Sequence, residues 1–192
     1  FSIQSSTDVK AIAVKEGWYA SDMVSFSLFE KGVSPDECTL LTQPNEKYRG
    51  KDSLTFLDGK RGAISNISDP NWIGYRTPMK LLFAYKEPKV VRKISFCYGV
   101  QVQAYILPPT SISIWGSNDN KTFQLLSKLL PNPIDKTKLN YVNSEVAHIT
   151  LKGEAFRYIK IEADNLQRLP LWHPGKGEKA WLFVDEIFFY ER

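Results

Sequence analysis

The sequence has little of the side-chain chemistry on which many enzymes and metal proteins depend. Its 192 residues include two cysteines, Cys38 and Cys97, and two histidines, His148 and His173. The cysteines fit neither a CxxC redox pair nor a zinc site. Two buried thiols are favoured over a lone disulfide, because cysteine is so often buried. A Ser-His-Asp triad would have to use one of the two histidines, and no G-x-S-x-G motif accompanies them.

Long hydrophobic runs and a dominant charge are also missing. No apolar segment approaches the roughly 18 residues that would span a bilayer, and the run from Trp181 to Val184 ends at Asp185. The net charge is +4, and the lysines and arginines are scattered among acidic residues. We therefore expect neither a transmembrane segment nor a nucleic-acid partner.

Helical spacing is absent, and the hydrophobic pattern has a period of two. Apolar and polar residues alternate around Ile94, Ile112, Ile149 and Ile159, which is typical of half-buried strands. Glycine and proline clusters such as Pro108-Pro109 separate these segments. Many short strands joined by such turns predict an all-β sandwich or barrel.

What the sequence has in excess is aromatic residues, which make up 13% of the chain. Most of the phenylalanines fall in the alternating strands and are explained by a core. Trp115 and Trp181 lie within strand runs and are assigned to that core. Trp72 and Trp172 lie between strands, so some rings are candidates for ligand contact.

The chain divides into two parts. Residues 1–43 contain one predicted hairpin followed by a linker over 32–43, and two strands alone are only marginally stable. We interpret 1–43 as the C-terminal part of a small β-sandwich domain plus linker, and 46–192 as a complete domain. Because the chain begins at Phe1 rather than Met, we expect a processed protein or a fragment of a longer one.

Five segments in the second part occur in the order expected of one family. They are residues 55–59 (TFLDG), 72–75 (WIGY), 112–117 (ISIWGS), 156–161 (FRYIKI) and 183–187 (FVDEI). Together they resemble the coagulation factor 5/8 type C domain, also called discoidin-like. The resemblance implies a galactose-binding-like jelly-roll β-sandwich preceded by a partial small β-domain.

Two further regions resemble the C-terminal part of bacterial chitobiase and β-hexosaminidase-like glycoside hydrolases. These are residues 7–17 and the loop 169–183. The resemblance implies a non-catalytic appendage of a secreted, periplasmic or cell-surface enzyme, whose catalytic domain lies upstream. The expected partners are then a glycan bearing terminal galactose or N-acetylhexosamine and the upstream domains of the same chain.

Sugar recognition requires an apolar face for the C–H side of a pyranose and polar groups for its hydroxyls. Trp172, His173 and Lys176 offer this combination in a loop bracketed by two prolines. The alternative is that Trp172 caps the sandwich and His173 binds a backbone carbonyl.

A second candidate wall consists of Trp72, Tyr75 and Arg76, and Tyr105 lies on another loop. The resemblance places the segment after the Asp-Gly turn at the binding end. A tryptophan at this position also packs into the core of many such domains, so both interpretations of Trp72 stay open.

The resemblance further implies a structural calcium ion. The matching positions are Asp58, Glu186 and the carbonyls of Thr55, Lys60 and Asp185, and hard oxygen ligands suit Ca²⁺. Ala63 replaces a common Thr or Ser ligand, and Lys60 and Arg61 place positive charge in the turn. The presence and the absence of a calcium ion at these positions therefore both stay open.

The pair Asp185-Glu186 superficially resembles the adjacent carboxylates of hexosaminidase catalysis. In a continuous strand such neighbours point to opposite faces and cannot flank one glycosidic bond, so no enzyme activity is expected of this region.

The alternation of a strand also predicts the direction of Arg157. It lies two residues before Ile159, so its side chain should face inward, and a buried guanidinium should be paired.

The sequence thus predicts a carbohydrate-binding module that uses aromatic stacking on exposed loops. Two alternatives remain. One is a structural or protein-interaction domain that packs on its parent enzyme, and the other is a lipid-headgroup binder with apolar loop tips at Trp72 and Trp172.

Overall fold

The computed structural model describes residues 7–30 and 32–191. These form two compact units, Phe1–Gly32 and Val33–Arg192. In the first unit, strands β1 (Thr7–Ala11) and β2 (Val24–Leu28) pair antiparallel, with Thr7 opposite Leu28. The predicted hairpin is therefore confirmed.

The second unit consists of two antiparallel sheets. The five-stranded sheet has the order β3-β5-β10-β7-β8 and the four-stranded sheet the order β4-β11-β6-β9. The strands are β3 (Glu37–Leu40), β4 (Ile73–Tyr75), β5 (Met79–Val90), β6 (Lys93–Gln101), β7 (Ser111–Ser117), β8 (Gln124–Leu129), β9 (Val142–Thr150), β10 (Ala155–Asp164) and β11 (Leu182–Tyr190). The described helices are short 3₁₀ turns.

The main core lies between the two sheets. It takes buried rings and branched side chains from both inner faces, among them Phe83 and Ile161 from one sheet and Phe96 and Ile187 from the other. These are the alternating positions of the sequence pattern, because successive side chains of a strand point to opposite faces. The fold is an all-β sandwich, as predicted.

A smaller apolar cluster of Trp72, Ile106 and Phe183 lies apart from this main core. Trp115, which the sequence analysis assigned to the core, is only half-buried, with the Lys160 ammonium 5.1 Å from its ring centroid.

The interpretation of residues 32–43 as a linker is wrong for most of that segment. The second unit begins at Val33, and β3 pairs with β5, with Cys38 opposite Phe83. The backbone N–H of Lys86 also donates to the Asp36 carboxylate at 2.8 Å. A four-residue edge strand has too little alternation to stand out from a linker in sequence.

Irregular strand pairing changes the direction of the Arg157 side chain from the one that the sequence pattern assigned. On β10 the pairing with β5 shifts between Phe156 and Tyr158. Phe156 and Ile159 are both buried, whereas Arg157 is exposed and lies over the Tyr158 ring. The prediction that Arg157 faces inward is therefore wrong, because the pairing with β5 is irregular here and the period of two does not continue through Arg157.

Both cysteines are free thiols, with Cys38 partly exposed and Cys97 buried. They lie on strands of different sheets. Burial raises the pKa of Cys38 to about 12, which makes it a poor nucleophile. Across residues 7–30 and 32–191, none of the helices has the length and apolar character needed to cross a bilayer.

Candidate functional site

Three loops leave the strands of the second unit at the same end of the sandwich. Pairing of Tyr75 with Leu182 and of Gly99 with Phe183 brings together the chain after β4, after β6 and before β11. The unit's own chain ends lie at the opposite end, where the N–H of Val33 donates to the Phe189 carbonyl. We call residues 76–78, 102–110 and 165–181 the loop end.

His173 joins two of these loops from a buried position. Its side chain is 2% exposed, and its Nε2 donates to the Val102 carbonyl at 2.8 Å. Its Nδ1 accepts a hydrogen bond from the Gly175 N–H at 3.0 Å, so the ring carries its proton on Nε2. Because both ring nitrogens are used within the fold, His173 positions the loops and offers no polar atom to a ligand. This is the second of the two roles that the sequence left open.

Tyr105 packs against the same loop. Its backbone has φ +68°, which non-glycine residues seldom adopt. Its half-buried ring lies 5.1 Å from the His173 ring centroid and directly against the Gly175 backbone. A Cβ at position 175 would lie 1.8 Å from Tyr105 Cε1, so this close contact requires glycine.

Trp172 is half-buried and packs on the main core, 5.7 Å from the His173 ring. Its neighbour Leu171 is 90% exposed, and Lys176 is exposed on the same loop. This loop therefore presents part of an indole ring, an apolar tip and an ammonium group to solvent. Of the three residues that the sequence grouped here, Trp172 and Lys176 keep solvent access and His173 does not.

Arg76 connects the loop after β4 to the loop before β11. Its Nη2 donates to the Glu178 carboxylate and to the Lys179 carbonyl, each at 3.2 Å. The guanidinium also lies 5.3 Å from the Trp181 ring centroid. Trp181 is half-buried, so it belongs to the loop end rather than to the core as the sequence analysis assigned it.

Trp72 and Tyr75 are not part of this surface. They are 1% and 0% exposed. The Trp72 indole packs against Phe183, and its Nε1 donates to the Ala63 carbonyl at 3.1 Å. The prediction that these two rings form an exposed wall is thus corrected, because the loop around Gly62 covers Trp72 and the sandwich core encloses Tyr75.

Tyr48 is an aromatic residue that the sequence analysis did not select. It meets Trp181 edge-on, with ring centroids 5.2 Å apart, and the Lys47 ammonium lies over its ring. A cleft of about 220 Å³ lies beside it, and Ser68 and Pro70 contribute to its walls. Tyr48 lies in a polar stretch without periodicity, so only the tertiary contact with Trp181 reveals it.

The five residues predicted to hold calcium gather around one turn, which we call the 51–62 turn. Glu186 Oε2 accepts from the Gly59 N–H at 2.6 Å, and Asp58 Oδ1 accepts from the Lys60 N–H at 3.0 Å. The Thr55 hydroxyl accepts from the Lys51 N–H at 2.7 Å. Within the part of the chain that the structure describes, no group of three or more His, Cys, Asp or Glu side chains is placed to hold a metal.

The carboxylate of Asp185 is bound by a cation of the protein. Asp185 is fully buried, and its Oδ2 accepts from Arg61 Nε at 2.5 Å and from the Gly62 N–H at 2.9 Å. A bulge between Val184 and Glu186 turns both carboxylates toward the 51–62 turn. The assumption of a continuous strand was therefore wrong here.

Burial raises the pKa of Asp185, and the Arg61 guanidinium opposes that shift. Burial also raises the pKa of Glu186, to about 8. Both carboxyl groups are therefore held away from solvent by the fold, and each depends on donors of the 51–62 turn for its hydrogen bonds.

Comparisons with known proteins bear on the fold. No protein-family model and no curated protein sequence matches the chain. Among solved structures, a CBM32 module from Clostridium perfringens in complex with GalNAc-β-1,3-galactose has a TM-score of 0.52 and 10% identity, covering 80% of this chain and 94% of that one. A CBM32 module from a family 31 glycoside hydrolase of the same organism has a TM-score of 0.50 and 11% identity, covering 83% and 90%.

These identities are too low to carry function, but the shared architecture covers most of both chains. The two packed antiparallel sheets described above agree with that likeness. The second unit of this chain therefore has the galactose-binding-like, or discoidin, β-sandwich fold.

Proposed function

We propose that the second unit is a non-catalytic carbohydrate-binding module that contacts its glycan at the loop end. The observation that supports this proposal best is that the loop 169–181 carries both the half-buried indole of Trp172 and the exposed ammonium of Lys176. An indole face suits the C–H side of a pyranose, and cationic donors suit its hydroxyls. Arg76, held by Glu178, supplies a second donor group with a fixed orientation.

The roles of the other predicted residues differ. Tyr105 and His173 act behind the surface, since they fix the loop from below. Trp72 and Tyr75 stabilise the sandwich. Stacking and selection of hydroxyl orientation thus fall to Trp172, Arg76 and Lys176, with Trp181 and Tyr48 extending the aromatic surface.

Two buried carboxylates support the assignment of a non-catalytic role. Asp185 and Glu186 are 0% and 1% exposed, and each is hydrogen-bonded to the 51–62 turn. A glycosidic bond cannot reach them, whereas hydrolysis needs two accessible carboxyl groups on either side of that bond.

The broader proposal is that this module belongs to a secreted, periplasmic or cell-surface glycoside hydrolase of the β-hexosaminidase or chitobiase type. It rests on the resemblance of residues 7–17 and 169–183 to such enzymes. Glycans ending in galactose or an N-acetylhexosamine are the proposed ligands, and the structural neighbour solved with GalNAc-β-1,3-galactose makes them the first to test.

A glycan array probed with the 192-residue chain tests the proposal. We expect binding to glycans with terminal galactose or N-acetylhexosamine, and a loss of about tenfold in affinity in Trp172→Ala, which corresponds to about 1.4 kcal/mol. Trp115→Ala is the matched control, since Trp115 is also half-buried but lies on β7 under Lys160. Its binding should equal that of the wild type.

Failure to bind any glycan, or equal affinity in Trp172→Ala and the wild type, would contradict the proposal. Burial of Leu171, which is 90% exposed in this unit, by an adjacent domain would support the alternative of an interaction domain that packs on its parent enzyme. Sedimentation with anionic vesicles distinguishes a lipid-headgroup binder from a glycan-binding module and from an interaction domain.

A further inference from the structure

The residues around the 51–62 turn do not fit the calcium site that the family resemblance implies. Ca²⁺ takes about six to eight oxygen ligands at about 2.3–2.6 Å. Here both oxygens of Asp58 already accept hydrogen bonds, one from the Lys60 N–H and the other from the Lys51 ammonium. Glu186, the other carboxylate of the implied site, accepts at Oε2 from the Gly59 N–H at 2.6 Å.

We propose that the Lys51 ammonium is the built-in cation of the 51–62 turn, and that this domain folds and stays folded without a divalent metal ion. Lys51 Nζ lies 2.7 Å from Asp58 Oδ2 and also donates to Asn71 Oδ1. One positive charge therefore binds an anionic and a neutral oxygen from two separate loops, as a metal ion would.

The backbone around Lys51 holds the ammonium in place. The backbone N–H of Lys51 donates to the hydroxyl of Thr55, a residue that is 1% exposed. Asn71 in turn donates from Nδ2 to the Arg61 carbonyl at 3.4 Å, and its N–H donates to Asp69 Oδ1 at 2.9 Å. The Lys51 contacts thus join the start of the turn, its middle and the loop before β4.

Burial determines how much this network contributes. The side chains of Lys51 and Asp58 are 33% and 22% exposed, so the pair is partly shielded from water. Such a pair is stronger than one at a fully exposed surface site, such as Arg49 with Asp52 at 51% and 56% exposure. A second cation, Arg61, neutralises Asp185 in the same region. Of the two carboxylates of the implied calcium site, Asp58 therefore already has the Lys51 ammonium as its partner, and Glu186 has the Gly59 N–H.

Thermal unfolding of the full chain in CaCl₂ and in EDTA tests this inference, together with calorimetric titration of CaCl₂ into the wild type. We expect equal melting temperatures in the two buffers and no heat of binding. Lys51→Met should lower the melting temperature by about 3 °C or more in EDTA, because the ammonium is lost while the aliphatic stem is kept. Lys128→Met is the matched control, since Lys128 is exposed on β8 and its change should leave the melting temperature within about 1 °C.

Saturable calcium binding that raises the melting temperature of the wild type would overturn the inference. Equal stability of Lys51→Met and Lys128→Met would also overturn it. A melting temperature of Lys51→Met that recovers in CaCl₂ would support it, because Asp58 and Asn71 oxygens are free in that variant. If Lys51→Met does not fold, the wild-type titration still decides, because it requires no variant.

Discussion

Asp185→Ala is expected to lower the free energy of unfolding by about 3–5 kcal/mol, the largest effect of any single substitution considered for this chain. Asp185 is fully buried on β11, and its Oδ2 accepts from both Arg61 and Gly62. Removing it leaves a guanidinium that is only 20% exposed without its carboxylate, and the Gly62 N–H without an acceptor. Urea denaturation followed by tryptophan fluorescence measures the loss.

The control for Asp185→Ala is Glu162→Ala. Glu162 pairs with Lys80 at 3.4 Å and with Lys160 at 3.3 Å, and all three side chains reach solvent, so its removal should cost no more than about 1 kcal/mol. If Asp185→Ala lowered the free energy of unfolding as little as Glu162→Ala does, the buried ion pair would not hold the 51–62 turn to β11. Arg61→Met, which removes the other partner of the ion pair, should also be strongly destabilising, because it leaves Asp185 as a buried carboxylate without a guanidinium.

Gly175→Ala is expected to destabilise the protein by about 1–3 kcal/mol, the range typical of overpacking. Its Cβ would lie 1.8 Å from Cε1 and 2.5 Å from Cζ of Tyr105, so the ring must move. Tyr105 has little freedom, since it contacts His173 and its backbone has φ +68°. The same displacement should weaken glycan binding, because His173 and Gly175 hold the Trp172 loop.

A double-mutant cycle isolates this contact. In a Tyr105→Ala background the ring is absent. Gly175→Ala should therefore lower the free energy of unfolding by at least about 1 kcal/mol less than it does in the wild type. Chemical denaturation of the four proteins gives the coupling free energy. Strictly additive losses would show that Gly175 is constrained by something other than the Tyr105 ring.

The all-β class could be predicted from local patterns, whereas the choice of a sandwich over a barrel came from the family resemblance. The alternation around Ile94, Ile112 and Ile149 locates β6, β7 and β9, because alternate side chains of a strand point to the same face. Polar residues within β6 and β7 are nevertheless buried too, so these two strands are not half-buried as predicted. The hairpin of β1 and β2 followed from the same pattern with a turn at Gly17. The short edge strand β3 was missed, because four residues carry too little periodicity.

The candidate site was predicted only in part. Trp172, Arg76 and Lys176 retain solvent access on the loop end, as expected of residues between strands. Trp72 also lies before a strand, yet the loop that carries Gly62 and Ala63 buries it. Tyr48 is half-buried beside Trp181 from a segment with no recognisable pattern. Exposure of a loop ring depends on which other loop covers it, and that is not a local property.

The sequence alone determined that the second unit is built of short β-strands, because side-chain alternation and turn chemistry act over a few residues. Only the tertiary structure decided the direction of Asp185, since one extra residue in the bulge of β11 reverses the phase of that strand. It likewise decided the direction of Arg157, where the pairing of β10 with β5 is irregular. It also decided that Lys51 meets Asp58 and Asn71, because the contact of an ammonium with oxygens of two loops depends on distances that only the folded chain sets.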